Sequence, residues 1–188
     1  MKLAIVRMSY SPYGGAETSI EQIRAALAVQ DPSTELTVVT HSWVQPQAPD
    51  TQGATNTQVI AHVPSRGLTR ASRFRSFTRE VDAYLSAHHF DVVQSHERIP
   101  NCNIFRAGDG IHAAWLARIA KERGLPRGLL ALDPYHRTVL AAEKKMAEPS
   151  GPIFVANSPL VASEARETLQ LPDDRIRLIP NMIDLARI

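Results

Sequence analysis

The chain has 188 residues, of which 44% are hydrophobic and 21% charged, and its formal net charge is +2 at pH 7. This is the composition of an ordinary globular domain long enough to bury a core, and the near-neutral charge does not favour nucleic-acid binding. The one cysteine, Cys102, excludes an internal disulfide and a thiolate zinc site, and no apolar run approaches the ~20 residues of a membrane-spanning helix.

Apolar runs rich in β-branched residues alternate with segments of helical periodicity along the chain. The predicted strands are 2–8, 36–40, 59–63, 91–94, 102–106, 153–156 and 175–179. The predicted helices are 17–29, 70–88, 111–123 and 135–146, and a further helix opens with the capping residue Ser158 and Pro159. This alternation predicts an α/β fold in which helices cover both faces of a mostly parallel sheet.

A loop with two adjacent glycines, Gly14 and Gly15, lies between the first strand and the first helix. Glycines leave no Cβ to hold a ligand away from the backbone, and the free N–H groups of a helix start attract anions. The loop is equally compatible with a phosphate-bearing ligand and with a tight turn that binds nothing. It is not the G-x-G-x-x-G fingerprint, and the second strand ends at His41 rather than at an acid, so a nicotinamide or flavin oxidoreductase is disfavoured.

Other polar and aromatic residues follow the predicted strands at the end where ligands bind to parallel sheets. The candidates for lining a cleft there are His41, Trp43, His96, Glu97, Arg98, Asn157 and Ser158. Trp43 could equally serve packing alone.

Asp109 is flanked by two glycines immediately before a predicted helix. One interpretation is that Asp109 is the N-cap of that helix and accepts its free N–H groups. The other is a carboxylate held at the mouth of the sheet, where it takes a proton from a hydroxyl nucleophile while His112 binds or tunes it. The two roles are compatible.

Two segments carry clustered basic residues. The candidates are Arg70 and Arg73 at the start of one helix, and Arg118, Lys121, Arg123 and Arg127 around Trp115. Such clusters are usually solvated helix faces, but they also suit anionic lipid head groups or phosphorylated acceptors.

Four segments in order resemble the retaining glycosyltransferases of family 4, which have the GT-B fold. The segments are 14–17, 106–116, 155–158 and 175–184, and Met182 stands where the family usually has glycine. The second segment is similar to a subgroup related to lipopolysaccharide core glucosyltransferases.

The resemblance implies the N-terminal, acceptor-binding half of such an enzyme: a Rossmann-like three-layer sandwich over residues 1–180, with the interdomain hinge beginning at 181–188. The C-terminal domain, which binds the nucleotide sugar, is expected to be absent from this chain, so the fragment should be inactive alone. The full-length enzyme should take a UDP- or GDP-sugar and a glycan or lipid-linked acceptor, without a metal.

By the same resemblance, Gly14 and Gly15 approach the donor diphosphate, with Glu17 in the same motif, and Asp109 lies where the family often has an acceptor-side histidine. Since the N-terminus lacks a signal-peptide pattern, we expect a cytoplasmic protein, peripheral on the inner face of the membrane if the basic surfaces bind lipid. The alternative is a stand-alone module that binds a phospho-sugar or nucleotide without catalysis.

Overall fold

The computed structural model describes residues 1–10, 15–43, 58–126 and 128–181. Of the predicted site residues, Gly14 and Arg127 lie outside the described residues, as do the side chain of Glu17 and most of the expected hinge, 182–188.

The described part of the chain alternates strands with helices. The strands are β1 (Lys2–Val6), β2 (Ser9–Tyr10), β3 (Glu35–Thr40), β4 (Ser42–Trp43), β5 (Gln58–His62), β6 (Val92–Ser95), β7 (Ile104–Ala107), β8 (Ile153–Ala156) and β9 (Ile176–Leu178). The helices are α1 (Gly15–Gln30), α2 (Arg70–Ala87), α3 (His112–Glu122), α4 (Pro134–Ala147) and α5 (Pro159–Leu169). Short 3-10 turns occupy Leu130–Leu132 and Asp173–Arg175.

Seven strands form one sheet in the order β5-β3-β1-β6-β7-β8-β9, and every neighbouring pair is parallel. β2 and β4 form a separate parallel pair of two residues each. The register runs from Val39 to Val6 and on to Ser95, Phe105 and Phe154, so these side chains share one face. Helices on both faces of this sheet confirm the predicted α/β sandwich.

The period-2 alternation of β1 explains why both faces are covered. Leu3 and Ile5 pack with Ile20 of α1 on one face. Ala4 and Val6 pack on the other face, with the side of α2 that carries Phe77 and Val81. A strand buried on both faces needs the continuous apolar run that the sequence contains.

A second core lies on the same face as α2, under α4 and α5. It contains Phe105, Phe154, Met146, Val161 and Ile176, and the rings of Phe105 and Phe154 meet edge to face with centroids 5.2 Å apart.

Because every neighbouring pair of strands is parallel, the carboxyl ends of all seven strands lie along one border of the sheet. We call this border the carboxyl edge.

The first predicted strand, 2–8, was too long, because the ladder of β1 stops at Val6. Beyond it, the carbonyl of Met8 accepts the N–H groups of His41 (3.0 Å) and Ser42 (3.3 Å). This turns the chain into β2, where Tyr10 stacks on Trp43 with ring centroids 3.7 Å apart. The sequence pattern did not predict this pair of two-residue strands.

Candidate functional site

The carboxyl edge brings the ends of β1, β6, β7, β8 and β9 together, since these strands are neighbours in the sheet. Only β6 lies between β1, which leads to the helix start at Gly15, and β7, which leads to Asp109. With about 4.8 Å between strands, these two strand ends are about 10 Å apart. Gly15 and Asp109 thus follow strands that end on the same border of one sheet.

Glu97 follows β6 and lies between this strand and β1. One of its carboxylate oxygens accepts the backbone N–H of Met8 at 3.0 Å and the Nη1 of Arg7 at 3.3 Å. Burial raises the pKa of Glu97, the charge of Arg7 opposes that rise, and the carboxylate of Asp109 adds to it. Glu97 therefore links the loop after β6 to the residues that follow β1 at the carboxyl edge.

Two side chains hold the loop around Asp109 by hydrogen bonds to its backbone carbonyls. Arg98 donates from Nη2 to the carbonyl of Gly110 at 3.0 Å, and Asn157 donates from Nδ2 to the carbonyl of Gly108, also at 3.0 Å. Gly110 has φ = 76°, a conformation that favours glycine. The Asp109 side chain is exposed and makes no hydrogen bond to the other described residues.

The interpretation of Asp109 as N-cap of the following helix is wrong. The cap residue is Ile111, and no side chain of the cap closes the helix. Instead, Glu143 of α4 accepts the N–H groups of His112 (2.6 Å) and Ala113 (3.0 Å), and Glu164 of α5 accepts that of Ile111 (3.4 Å). Asp109 therefore has no capping role in α3.

Glu143 is the residue that sequence reasoning missed. Its side chain is 1% exposed and pairs with Arg98, whose Nε lies 2.8 Å from the Oε1 of Glu143. Its only signal was positional, since Val139, Glu143 and Met146 recur at helical spacing and form the buried face of α4. A charged residue on such a face needs a buried partner.

His112 is half-buried, and its Nε2 lies 3.0 Å from the Nδ1 of His136 on α4. Burial and, after it, the positive charge of Arg98 lower the pKa of His112 to about 4. The imidazole is therefore neutral at pH 7, and in this form it can form a hydrogen bond with a hydroxyl.

His96 is buried directly after β6, where burial and the charges of Arg7 and Arg106 lower its pKa to about 3. It remains neutral at physiological pH. Arg106 donates from Nη2 to the Oδ1 of Asn181 at 2.9 Å, which ties β7 to the segment after β9.

The remaining cleft candidates have structural partners. His41 is exposed, with Nδ1 3.2 Å from the carbonyl of Val63, and Trp43 stacks on Tyr10. Both follow β3, on the side of β1 away from β7. Ser158 is the N-cap of α5 and accepts the N–H of Val161 at 3.3 Å.

The predicted basic residues that the structure describes lie at the start of α2 and at the C-terminal half of α3. Arg70 lies over the ring of Tyr135, 4.1 Å from its centroid, and Arg73 donates to the carbonyl of Gly67. Arg118 of α3 is exposed and pairs with Glu164, and the side chains of Lys121 and of Arg123, the C-cap of α3, are also exposed.

Within the described ranges, no helix is long and apolar enough to cross a bilayer. The same ranges hold no group of three or more His, Cys, Asp or Glu side chains placed to bind a metal ion.

A family model described as Glycosyltransferase Family 4 matches residues 13–187. No curated protein sequence matches the chain significantly.

Solved glycosyltransferase structures share its fold. WaaG, described as a glycosyltransferase involved in lipopolysaccharide biosynthesis, has a TM-score of 0.82 at 20% identity over 98% of this chain and 46% of its own. The lipopolysaccharide outer core galactosyltransferase WaaB in its apo form has a TM-score of 0.53 at 13% identity, covering 98% and 47%. A ugt transferase from Siraitia grosvenorii in complex with UDP has a TM-score of 0.53 at 15% identity, covering 98% and 52%.

The chain therefore spans about half the length of these neighbours. Both the family model and the sheet order agree with the predicted half of a GT-B fold. Since the family model covers nearly all of its residues, the chain belongs to glycosyltransferase family 4.

Proposed function

We propose that this chain is the acceptor-binding half of a retaining hexosyltransferase that moves a sugar from a nucleotide sugar to a lipid-linked, lipopolysaccharide or polysaccharide-type acceptor. Residues 1–180 form the acceptor domain in this proposal, and the hinge toward a donor domain begins at 181–188. The observation that carries the proposal is the carboxyl edge, where an exposed carboxylate with no competing structural role stands on a rigidly held loop.

Asp109 contacts the acceptor hydroxyl in this proposal, as its base or as the group that orients it. An exposed carboxylate suits either role, because it is free to accept a hydrogen bond from a hydroxyl. Arg98 and Asn157 hold the loop by its two glycine carbonyls, so Asp109 is pre-positioned before any ligand arrives. His112 is neutral and bonds a second hydroxyl of the same acceptor.

The donor is bound by the partner domain in this proposal, and this chain contributes only its first loop. Gly14, Gly15 and the N-terminus of α1 approach the donor diphosphate from the carboxyl edge, because a helix start without side chains favours an anion. A UDP- or GDP-sugar is the proposed donor; one neighbour in structure was solved in complex with UDP. No step of the proposal requires a metal.

Peripheral attachment to the inner face of the cytoplasmic membrane is a further part of the proposal. It is supported by the exposed side chains of Lys121 and Arg123, and by Leu129 and Leu132, which follow them in the sequence and are 45% and 68% exposed. Basic residues beside exposed apolar ones are typical of surfaces that lie on anionic lipid.

The decisive experiment measures sugar transfer by the complete enzyme, in which this chain is joined to its donor domain, with and without Asp109→Asn. We expect kcat to fall at least about a hundredfold with little change in the acceptor KM, because general acid–base groups typically contribute 10²–10⁴-fold. Stability should change by less than about 0.5 kcal/mol, since Asp109 caps no helix.

Asp174→Asn, another exposed aspartate, is the matched control and should leave transfer unchanged. Equal losses in kcat and acceptor affinity would contradict a role in the transition state. The 188-residue chain alone should transfer no sugar, and measurable transfer by it would overturn the division of labour proposed here. A complete enzyme that binds phospho-sugars but transfers none would favour the binding-module alternative.

A further inference from the structure

Three helices from distant parts of the chain begin side by side at the carboxyl edge. Arg70 is the first residue of α2, His112 the first of α3, and Tyr135 and His136 lie in the first turn of α4. With Trp115, one turn into α3, the rings of His112, Tyr135 and His136 form what we call the aromatic cluster. No element of the sequence pattern predicted this meeting.

The rings are in mutual contact. His112 stacks on Trp115 with centroids 5.5 Å apart and meets the ring of Tyr135 edge to face at 6.3 Å. His136 lies 5.9 Å from Trp115 and 5.6 Å from Tyr135. Phe74 of α2 supports Tyr135 from behind at 6.2 Å. The cluster is thus a fixed surface rather than a set of independent side chains.

The cluster faces outward and retains free hydrogen-bonding capacity. Trp115 is 41% exposed, and tryptophan is enriched at binding interfaces. His112 and His136 use one ring nitrogen each to bond one another. Their other nitrogens, Nδ1 of His112 and Nε2 of His136, make no hydrogen bond to the described part of the chain.

A sugar ring matches this chemistry. The C–H groups on one face of a pyranose are weakly positive and pack on the negative face of an indole, while its hydroxyls bond the free imidazole nitrogens. The cluster also begins three residues after Asp109, so a sugar bound there lies beside the proposed reactive position.

Arg70 gives the surface a charge preference. Its guanidinium covers the Tyr135 ring, and it forms no ion pair with any carboxylate of the described residues. The N-cap of α4 is Asp133, whose Oδ1 accepts the N–H groups of Tyr135 (2.7 Å) and His136 (3.2 Å). Those bonds and, to a smaller degree, the charge of Arg70 lower the pKa of Asp133. Arg70 therefore has N–H donors that an anion can reach. The charge of Asp133 reduces the attraction of Arg70 for an anion, but Asp133 forms no ion pair with Arg70.

We propose that Trp115, the two histidines, Tyr135 and Arg70 form an acceptor subsite for a pyranose that carries an anionic group, either a phosphate or a carboxylate. This inference rests on the proposed function and narrows its acceptor to an anionic glycan.

The test measures binding to the 188-residue chain and needs no sugar transfer, so its failure and that of the proposed activity are distinguishable. The chain has two tryptophans, and Trp43→Phe keeps an aromatic ring on Tyr10 while leaving Trp115 as the only indole emitter. The probes titrated against Trp115 emission are glucose 6-phosphate, glucuronic acid, methyl glucoside and inorganic phosphate.

We expect saturable changes with glucose 6-phosphate or glucuronic acid, and at least about tenfold weaker binding of methyl glucoside and of inorganic phosphate. The stronger of the first two probes identifies the anion as phosphate or carboxylate. Arg70→Met should weaken the anionic probe about tenfold, because a charge-assisted hydrogen bond is lost. Arg79→Met is the matched control on α2, where the side chain is 74% exposed and pairs with Glu80.

A further variant, Asp133→Asn, should bind the anionic probe more tightly, which a misfolded protein would not do. Asp133→Asn keeps the cap of α4, because asparagine caps as well as aspartate, and removes the opposing charge, so it should tighten the anionic probe several-fold. No saturable change with any sugar, inorganic phosphate binding as tightly as glucose 6-phosphate, or insensitivity to Arg70→Met would each overturn the subsite.

Discussion

Arg98 and Glu143 form a buried ion pair, 45 residues apart in sequence, with Nε and Oε1 separated by 2.8 Å. Their side chains are 12% and 1% exposed. Arg98 also holds the carbonyl of Gly110, while Glu143 holds the N–H groups that open α3. One ion pair thus fixes both the loop that carries Asp109 and the helix that follows it.

Replacing Glu143 by alanine should destabilise the protein by about 3–5 kcal/mol, because it leaves the buried charge of Arg98 without its carboxylate and two helix N–H groups without an acceptor. Urea denaturation measures the loss. Glu122→Ala on the exposed side of α3 is the matched control and should cost less than about 0.5 kcal/mol. Equal effects of the two substitutions would contradict a capping role for Glu143.

A double variant tests whether the unpaired charge of Arg98 causes part of this loss. Adding Arg98→Met to Glu143→Ala should restore part of the lost stability, because it removes the unpaired buried charge. Purely additive losses would mean that the two side chains do not act together.

The two glycines beside Asp109 should respond differently to alanine. A Cβ on Gly108 would have no atom within 4 Å outside its chain neighbours, whereas Gly110 has φ = 76° and would be strained by any side chain. Gly110→Ala should therefore cost about 1 kcal/mol or more, and Gly108→Ala almost nothing.

Activity should nevertheless fall in Gly108→Ala if an acceptor approaches this loop closely, since the new methyl group then meets the ligand. Thermal denaturation and transfer by the complete enzyme, measured on both variants, test the pair of expectations. Full activity in Gly108→Ala would place the acceptor elsewhere.

The stability of the protein should fall between pH 6.5 and 5. The pKa of His96 is about 3 in the folded state and near 6.5 when unfolded, so the unfolded chain binds more protons over this interval. Stability present above pH 6.5 is thus lost as pH falls toward the folded value. The slope approaches about 1.4 kcal/mol per pH unit only below pH 6, so His96 alone accounts for about 1.6 kcal/mol between pH 6.5 and 5.

Urea denaturation at several pH values compares the wild type with His96→Asn, which should have a flatter dependence. His62→Asn, at an exposed position of β5, is the control and should keep the wild-type slope. His112, whose pKa is about 4, adds a similar dependence in all three proteins. An unchanged slope in His96→Asn would mean that this imidazole charges as readily in the folded state as in the unfolded one.

Anionic vesicles should retain the protein at low salt and release it at high salt, because attraction between exposed charges and the surface is screened. The double substitution Lys121→Gln with Arg123→Gln should weaken partitioning roughly tenfold or more, at about 1 kcal/mol per basic residue. Co-sedimentation is the measurement, and Arg75→Gln with Arg79→Gln on α2 is the control. Absence of binding at low salt would remove the membrane proposal.

Most of the architecture was predictable because it depends on local patterns. The apolar run of β1 and the capping residue of α5 each specify their element from a few adjacent residues. Alternation of strands and helices then leaves a parallel sheet as the compact arrangement. The prediction failed at β2 and β4, where pairing of two-residue strands follows from the turn at Met8 and from ring stacking.

The candidate site was predictable only in outline. Residues after strand ends were expected to meet because parallel strands end on one border, and Asp109, Glu97 and Arg98 do follow neighbouring strands. The interpretation of Asp109 as N-cap, one of the two left open, was wrong because a buried carboxylate from another helix satisfies the same donors.

By itself, the sequence determined the order and type of the seven strands of the main sheet and of the five helices, since periodicity, β-branched runs and turn residues act over short distances along the chain. Four short motifs carried the resemblance to the family. Only the tertiary structure decided that Glu143 caps α3 and that Arg70 joins the rings of α3 and α4. The physical reason is that an unsatisfied N–H or an exposed ring can contact any partner of suitable chemistry. The packing of the helices decides which partner lies next to it.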